Sequence, residues 1–217
     1  MTEVLSRLAR LDSCVVSDAL DKLGLTGVAA GLSRLSTDKK LAGQVLTVRL
    51  ESADGRLADR HLCTAAIEAA EPGNILVIEH HSRADCAGWG GLLSRAATVR
   101  GIAGVIVDGL CRDIDESRDL GFTVFARGAI PATARGRIIE TDFNCAITVG
   151  SIVVQPGDWV IADGSGVVFL GQESVGSILD QAEQLVAREA SLLKDIEAGI
   201  PVSKVMSRTY EHMTRKE

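Results

Sequence analysis

Apolar positions recur along the chain with two periods, and the switching between them predicts an α/β protein. Val4, Leu5, Leu8 and Leu11 share one helical face. Ser13 reads as the N-cap of a second helix carrying Val16, Ala19, Leu20 and Leu23, closed by Gly24. Residues 41–50 alternate as a strand does. Helical spacing returns over 57–70, with Leu62, Ala65, Ala66 and Ala69 on the buried side, until Pro72-Gly73 stops it; 74–79 is a short apolar strand. After a glycine-rich turn at 88–91, a helix over 92–100 leads into an unbroken apolar strand at 102–107. A helix over 114–120 and a strand over 122–126 follow, then a looser segment. Strands are predicted at 146–149 and 152–154, and a hairpin of 159–162 with 167–170 turns about Asp163-Gly164. The last helix, 174–198, keeps an apolar stripe from Val175 to Ile196. It either folds back on its own domain or packs on a neighbouring subunit.

Unbroken apolar strands between helices imply a sheet buried on both faces. A length of 217 residues suits one α/β domain over 1–217, with N-terminal helices at 1–24 and the C-terminal helix at 174–198. Aromatic residues make up 3% and the net charge is -6, so neither base-stacking platforms nor a basic face is available, and nucleic acid is not an expected partner. The Arg215-Lys216 tail reads as a solvated end. No apolar run is long enough to span a bilayer and no leader-like apolar stretch opens the chain, so a cytoplasmic protein is expected. Five scattered cysteines without a C-x-x-C pair read as reduced thiols.

Two segments can carry chemistry. A helix starting near Gly91 presents unpaired N–H groups and a positive dipole end, a seat for a carboxylate or phosphate, although the G-x-G-G spacing by itself better suits a plain tight connection with no ligand. Arg112-Asp113 lies beyond the carboxyl end of a buried strand, where ligands of open α/β sheets collect. Asp113 is a hard oxygen ligand suited to Mg²⁺ or Mn²⁺, and Arg112 a rigid fork of donors for a carboxylate or developing enolate. Asp113 reads equally as an N-cap of the following helix, with Arg112 exposed. Taken together, the segments would hold a 2-oxo acid by its carboxylate, polarise its oxo group and stabilise the charge left by bond cleavage. Other residues read as structural: His80 and His81 as surface or loop histidines, His61 as a partnerless helix residue, Cys111 as a packed thiol and Ser165 as outside any nucleophile elbow.

The runs 88–93, 100–109, Arg112-Asp113 and 121–128, with Ser17-Asp18-Ala19-Leu20, Pro72-Gly73 and Pro156-Gly157-Asp158, resemble the RraA-like superfamily. That group includes 4-hydroxy-4-methyl-2-oxoglutarate / 4-carboxy-4-hydroxy-2-oxoadipate aldolases and the regulator of ribonuclease E activity. The resemblance covers nearly the whole chain. It implies an α/β three-layer sandwich of the swivelling-domain type with a long C-terminal helix, and a homotrimer or hexamer with sites between subunits. It further implies a divalent metal (Mg²⁺ or Mn²⁺) on Asp113 and a small 2-oxo acid bound by Arg112 and by Gly90, Gly91, Leu92 and Leu93. The implied reaction is retro-aldol release of pyruvate, with oxaloacetate decarboxylation beside it. An acidic residue from a neighbour's C-terminal helix is matched by Glu189. The aldolases carry Asp or Glu where this chain has Gly91, and Asp85, Glu116 or the neighbour's Glu189 are the candidates to compensate. A non-catalytic trimeric regulator that binds a ribonuclease or another protein, or a different reaction on a related acid at the same metal site, are the alternative readings.

Overall fold

A computed structural model describes residues 3–58 and 60–206; the Arg215-Lys216 tail lies outside them. In chain order the elements are α1 (Glu3–Leu8), α2 (Ser13–Leu23), β1 (Val28–Ala29), β2 (Ser33–Arg34), β3 (Leu41–Ser52), α3 (Thr64–Ala69), β4 (Ile75–Glu79), α4 (Gly91–Val99), β5 (Gly104–Cys111), α5 (Ile114–Asp119), β6 (Thr123–Ala129), β7 (Ile138–Phe143), β8 (Ile147–Val149), β9 (Ile152–Val154), β10 (Trp159–Ala162), β11 (Val167–Leu170), α6 (Val175–Glu197) and α7 (Val202–Val205).

One mixed sheet runs β1-β11-β10-β3-β4-β5-β6-β2, with β7 also on β3. Its centre, β3 to β6, is parallel, and the outer pairs are antiparallel. All five residues of β4 are buried because successive side chains enter different cores. Leu76 and Ile78 join Trp89, Leu93 and Ala97 of the helical side, whereas Ile75 and Val77 join Ile106, Phe125 and Val160. The β8–β9 hairpin closes over this second core. Glu79 anchors it by accepting from the Thr148 N–H (3.1 Å), and Asp108 by accepting from the Gly150 N–H (3.1 Å) and from Arg127 Nε.

A third core joins α1, α2 and α6 to β10 and β11. The last helix folds back on its own domain over its first half. Its first half, through Leu185, is buried on its own domain, with Arg7 bridging to Asp180 (2.6 Å) and Glu183 (2.8 Å), while Val186 and Leu193 farther along are exposed. The first cap is shifted by one residue. Asp12, not Ser13, is the N-cap of α2, accepting from the Val15 N–H, and Ser13 instead donates its N–H and hydroxyl to Asp163 (2.7 and 2.6 Å). All five cysteines are free, and no helix among the described residues is long and apolar enough to cross a membrane.

The expected helix over 57–70 is confined to Thr64–Ala69. Residues 53–58 and 60–62 are instead irregular. Glu140 of β7, its side chain fully buried, accepts from the Cys63 N–H and from Arg60 Nε and Nη2 (3.1 and 2.8 Å). β7 itself falls in the segment read as loose, and it pairs with the far half of β3, from Val48 to Ser52.

Candidate active site

The glycine turn and the Arg-Asp pair meet because residues 87–89 run alongside the end of β5. Ala87 bridges in parallel to Leu110, the Gly88 N–H donates to the Leu110 carbonyl (2.8 Å), and the Arg112 N–H donates to the Trp89 carbonyl (3.0 Å). β5 is irregular between Val107 and Leu110, which re-aims its last residues toward the turn. Buried Trp89 pins the arrangement from below. Its Nε1 donates to the Ser94 hydroxyl (2.8 Å), which lies 2.9 Å from that of Ser117 and so couples α4 to α5.

Asp113 does not cap α5. It sits at the cap position in a left-handed conformation (φ 56°, ψ 41°), and its side chain makes no capping hydrogen bond. The carboxylate turns back instead, and Oδ2 accepts from the Gly91 N–H (2.9 Å) and from Arg112 Nε (3.2 Å). A non-glycine residue in this region is strained and is held there by its surroundings, a recurrent feature of functional sites. Asp113 Oδ1 has no hydrogen bond among the described residues, so it faces the cavity as a free acceptor.

Gly90 precedes α4 in an extended conformation and supplies no side-chain cap, and the Leu92 and Leu93 N–H groups have no acceptor among the described residues. These orphan donors, the dipole end of α4, Arg112 and Asp113 all line one cavity of about 270 Å³. An anion held there would meet the Leu92 and Leu93 amides and the Arg112 guanidinium, beside the Asp113 carboxylate that already takes the Gly91 N–H.

The absent side chain at Gly91 is accounted for by its neighbour. A Cβ placed on Gly91 would lie 1.9 Å from Oε2 of Glu116 and 3.2 Å from the Asp113 Cβ. Glu116 therefore occupies the volume that an acidic residue at 91 would fill. Its other oxygen lies 3.5 Å from Arg95 Nη2, leaving Oε2 without a partner among the described residues. The Asp113 and Glu116 carboxylates thus both stand beside the first turn of α4, although Glu116 does not itself line the cavity; carboxylate oxygens are hard donors of the kind Mg²⁺ or Mn²⁺ accepts.

Other expected positions fall elsewhere. Glu189 lies where α6 packs on α2, and burial, then the charges of Asp18 and Asp12, raise its pKa; it does not line the cavity of its own protomer. Asp85 is paired with Arg83 (2.7 Å) and does not line the cavity. His80 is not a surface residue but fully buried, because its ring fills the space left by Gly88 and Gly109. His61 is not on a helix; it lines the cavity from the 53–62 segment. Cys111 is a packed thiol with its pKa pushed up by burial. Sequence reasoning missed Arg56, Arg60, Arg135 and Glu140, which also line the cavity. Glu140 reaches it on β7, whose pattern of Ile138, Ile139 and Phe143 around three polar residues gives no strand period, and Arg60 is held there by Glu140.

A family model described as "Aldolase/RraA", of the RraA-like family, matches residues 13–169. A Halalkalibacterium halodurans protein named "Putative 4-hydroxy-4-methyl-2-oxoglutarate aldolase" is 29% identical over 184 residues, covering 84% of this chain and 83% of that one. Protein DlpA of Legionella pneumophila is 25% identical over 92% of this chain, which spans 32% of DlpA's length. The crystal structure of Streptomyces coelicolor RraAS2, an unusual member of the RNase ES inhibitor RraA family, matches with a TM-score of 0.80 at 26% identity, covering 88% of this chain and 95% of that one.

Proposed function

The chain belongs to the RraA-like family, and from that premise we propose that it is a divalent-metal-dependent lyase that splits a 4-hydroxy-2-oxo acid into pyruvate and a second 2-oxo acid. The mixed α/β sheet with its long C-terminal helix is the fold of that family. Relatives named as aldolases support the reaction class. The observation that supports the proposal is the approach of Asp113, Glu116 and Arg112 to the first turn of α4, with Glu116 Oε2 in the volume that a side chain at Gly91 would take.

In this reading the free N–H groups of Leu92 and Leu93, with Gly90 and Gly91 leaving the backbone bare, hold the 2-oxo acid's carboxylate. Asp113, with Glu116 beside it, would hold a divalent metal, which would supply Lewis-acid polarisation of the 2-oxo group. Cleavage breaks the C3–C4 bond as the C4 hydroxyl gives its proton to water and its carbon becomes the second oxo group; the electron pair passes into the pyruvate fragment as an enolate, which takes a proton from water at C3, so no net proton is gained or lost. Arg112 lies beside that fragment and offsets the negative charge on its oxygen. Loss of CO₂ from oxaloacetate sends an electron pair into the same fragment, so the same residues serve that reaction. Glu189 joins such a site only from a second copy, consistent with a trimer or hexamer whose exposed α6 halves meet neighbouring cavities. We place the protein in the cytoplasm.

The test is pyruvate release from 4-hydroxy-4-methyl-2-oxoglutarate and from oxaloacetate by purified full chain, with Mg²⁺ or Mn²⁺ and with chelator. Metal-dependent release supports the proposal, and release of no pyruvate with either metal overturns it. The role of Glu116 has its own readout in Mn²⁺ affinity. Glu116→Ala is expected to weaken it by about tenfold, the usual scale for lost support around a metal site. Gly91→Asp alone weakens it too, since two carboxylates then contend for one volume, whereas Gly91→Asp with Glu116→Ala returns it to within about threefold of the parent. Calorimetric Mn²⁺ titration of the three variants checks this.

A further inference from the structure

Ser94 of α4 and Ser117 of α5 are fully buried beside the core that Trp89, Leu93, Ala97 and Phe122 share. Packing alone does not require them. Two facing hydroxyls replaced together by apolar groups of the same shape cost a fold little, whereas a buried hydroxyl left without a partner is expensive. What these two do depends on where their hydrogens go.

Trp89 Nε1 can only donate, so it takes a lone pair of the Ser94 oxygen (2.8 Å). The Ser94 and Ser117 hydroxyls lie 2.9 Å apart, and the Ser117 hydroxyl reaches the Asp113 carbonyl (3.2 Å). Were Ser117 to donate to Ser94, the Ser94 hydrogen would have no acceptor among the described residues. One direction gives every hydrogen an acceptor: Trp89 donates to Ser94, Ser94 to Ser117, and Ser117 to the Asp113 carbonyl. Each bond in such a chain polarises the next.

The chain ends on a strained residue. Asp113 is left-handed at φ 56°, and its carbonyl accepts from the Ser117 N–H (3.1 Å) as well as from the Ser117 hydroxyl. That conformation turns the carboxylate back onto the Gly91 N–H (2.9 Å). Trp89 thus grips both halves of the Arg-Asp pair. Its carbonyl takes the Arg112 N–H (3.0 Å), and its indole acts on Asp113 through the two serines.

We propose that Ser117 is a positioning residue for the Asp113 carboxylate, itself oriented by Ser94 and the Trp89 indole. This rests on the preceding reading, in which Asp113 carries the metal beside the 2-oxo acid. Without the Ser117 hydroxyl, the Asp113 carbonyl keeps one donor of two, and its strained backbone is less firmly determined. Relaxation has a definite end state, because Asp is a good N-cap. The carboxylate swings from the Gly91 N–H to the first amides of α5.

The experiment reads both ends of the chain by proton–nitrogen NMR of the full protein labelled at glycine and tryptophan, with Mn²⁺ affinity measured by calorimetry. In Ser117→Ala the Gly91 amide proton is expected to move upfield, toward its position in Asp113→Ala. The Trp89 indole proton moves upfield too, as Ser94 loses its outlet, while that of Trp159 stays. Mn²⁺ affinity falls by about tenfold, the scale for lost support around a metal ligand. Ser94→Ala cuts the chain one link earlier and is expected to move the Gly91 amide in the same direction. Thr98→Ala is the control. It removes a different hydroxyl bond of α4, to the Ser94 carbonyl (2.8 Å), and leaves the Gly91 amide and Mn²⁺ affinity unchanged. A Gly91 amide that stays in place in Ser117→Ala, an equal shift in Thr98→Ala, or Mn²⁺ bound by Ser117→Ala as tightly as by the parent overturns the proposal. The two readings fail separately. A Gly91 amide that moves in Ser117→Ala, in a protein whose parent binds no Mn²⁺ and releases no pyruvate, keeps the positioning role and removes the lyase. Pyruvate release by the parent with the Gly91 amide unmoved in Ser117→Ala keeps the lyase and removes that role.

Discussion

Replacing Asp113 by Ala lowers kcat for pyruvate release by about a thousandfold or more, and Arg112→Ala by about a hundred- to a thousandfold, the scale for losing one preorganised donor to developing charge. Neither variant is expected to unfold. Both side chains are partly exposed, at 38% and 41%, and Asp113 makes no capping bond to α5. Surface substitutions away from caps and cores shift stability by about 0.5 kcal/mol or less, and alanine, less at ease than Asp at φ 56°, adds about 1 kcal/mol at most. Asp113→Asn separates charge from shape. An amide oxygen can still accept from the Gly91 N–H, so the backbone stays as it is while the negative charge is lost. Steady-state pyruvate release beside thermal unfolding checks all three. Wild-type turnover in Asp113→Asn would remove the carboxylate from the chemistry.

Arg112 and Asp113 were legible because they are adjacent in sequence and follow an unbroken apolar strand whose carboxyl end must lie at a ligand-binding edge. The 90–93 turn was legible for the same local reason. The partnership between them was not, since it depends on residues 87–89 running alongside the end of β5, a contact that leaves no period in the sequence. Glu116 could be named as a candidate but not chosen over Asp85; only the volume left by Gly91 makes that choice. The far wall of the cavity was illegible because it rests on β7. Ile138 and Ile139 are adjacent and Phe143 is distant, so neither a helical nor a strand period emerges. The helix over 57–70 failed at its start for a related reason. Leu57 carries the helical spacing yet is 93% exposed, while Glu140, more than seventy residues on, takes the Cys63 N–H and Arg60 and holds the chain open there.

His80 makes the strongest pH dependence of folding. Burial, aided by the charge of Arg83 and opposed by Asp85 and Asp108, lowers its pKa from 6.5 to about 4. The ring is fully buried, its Nδ1 has no hydrogen-bond partner among the described residues, and its Nε2 lies 3.8 Å from the Cys86 thiol. Protonating it in place would strand a charge between Gly88 and Gly109. The unfolded chain takes up that proton more readily than the folded one. The stabilisation from keeping the ring neutral is therefore complete above about pH 6.5 and is lost as pH falls toward about 4, amounting to about 3 kcal/mol at most across that window. Urea unfolding at steps from pH 7 to pH 4 should show that decline. It starts above the range in which most carboxylates take up protons. Ring-proton NMR should show that one of the chain's 4 histidines keeps its neutral shift well below pH 6; if all of them titrate near 6.5, the buried neutral ring is wrong. Because His80 packs under Gly88 and the 88–91 turn begins there, acid-induced loosening at this ring reaches the first turn of α4 by direct contact. Loss of ligand affinity should then follow the same pH course as the loss of stability.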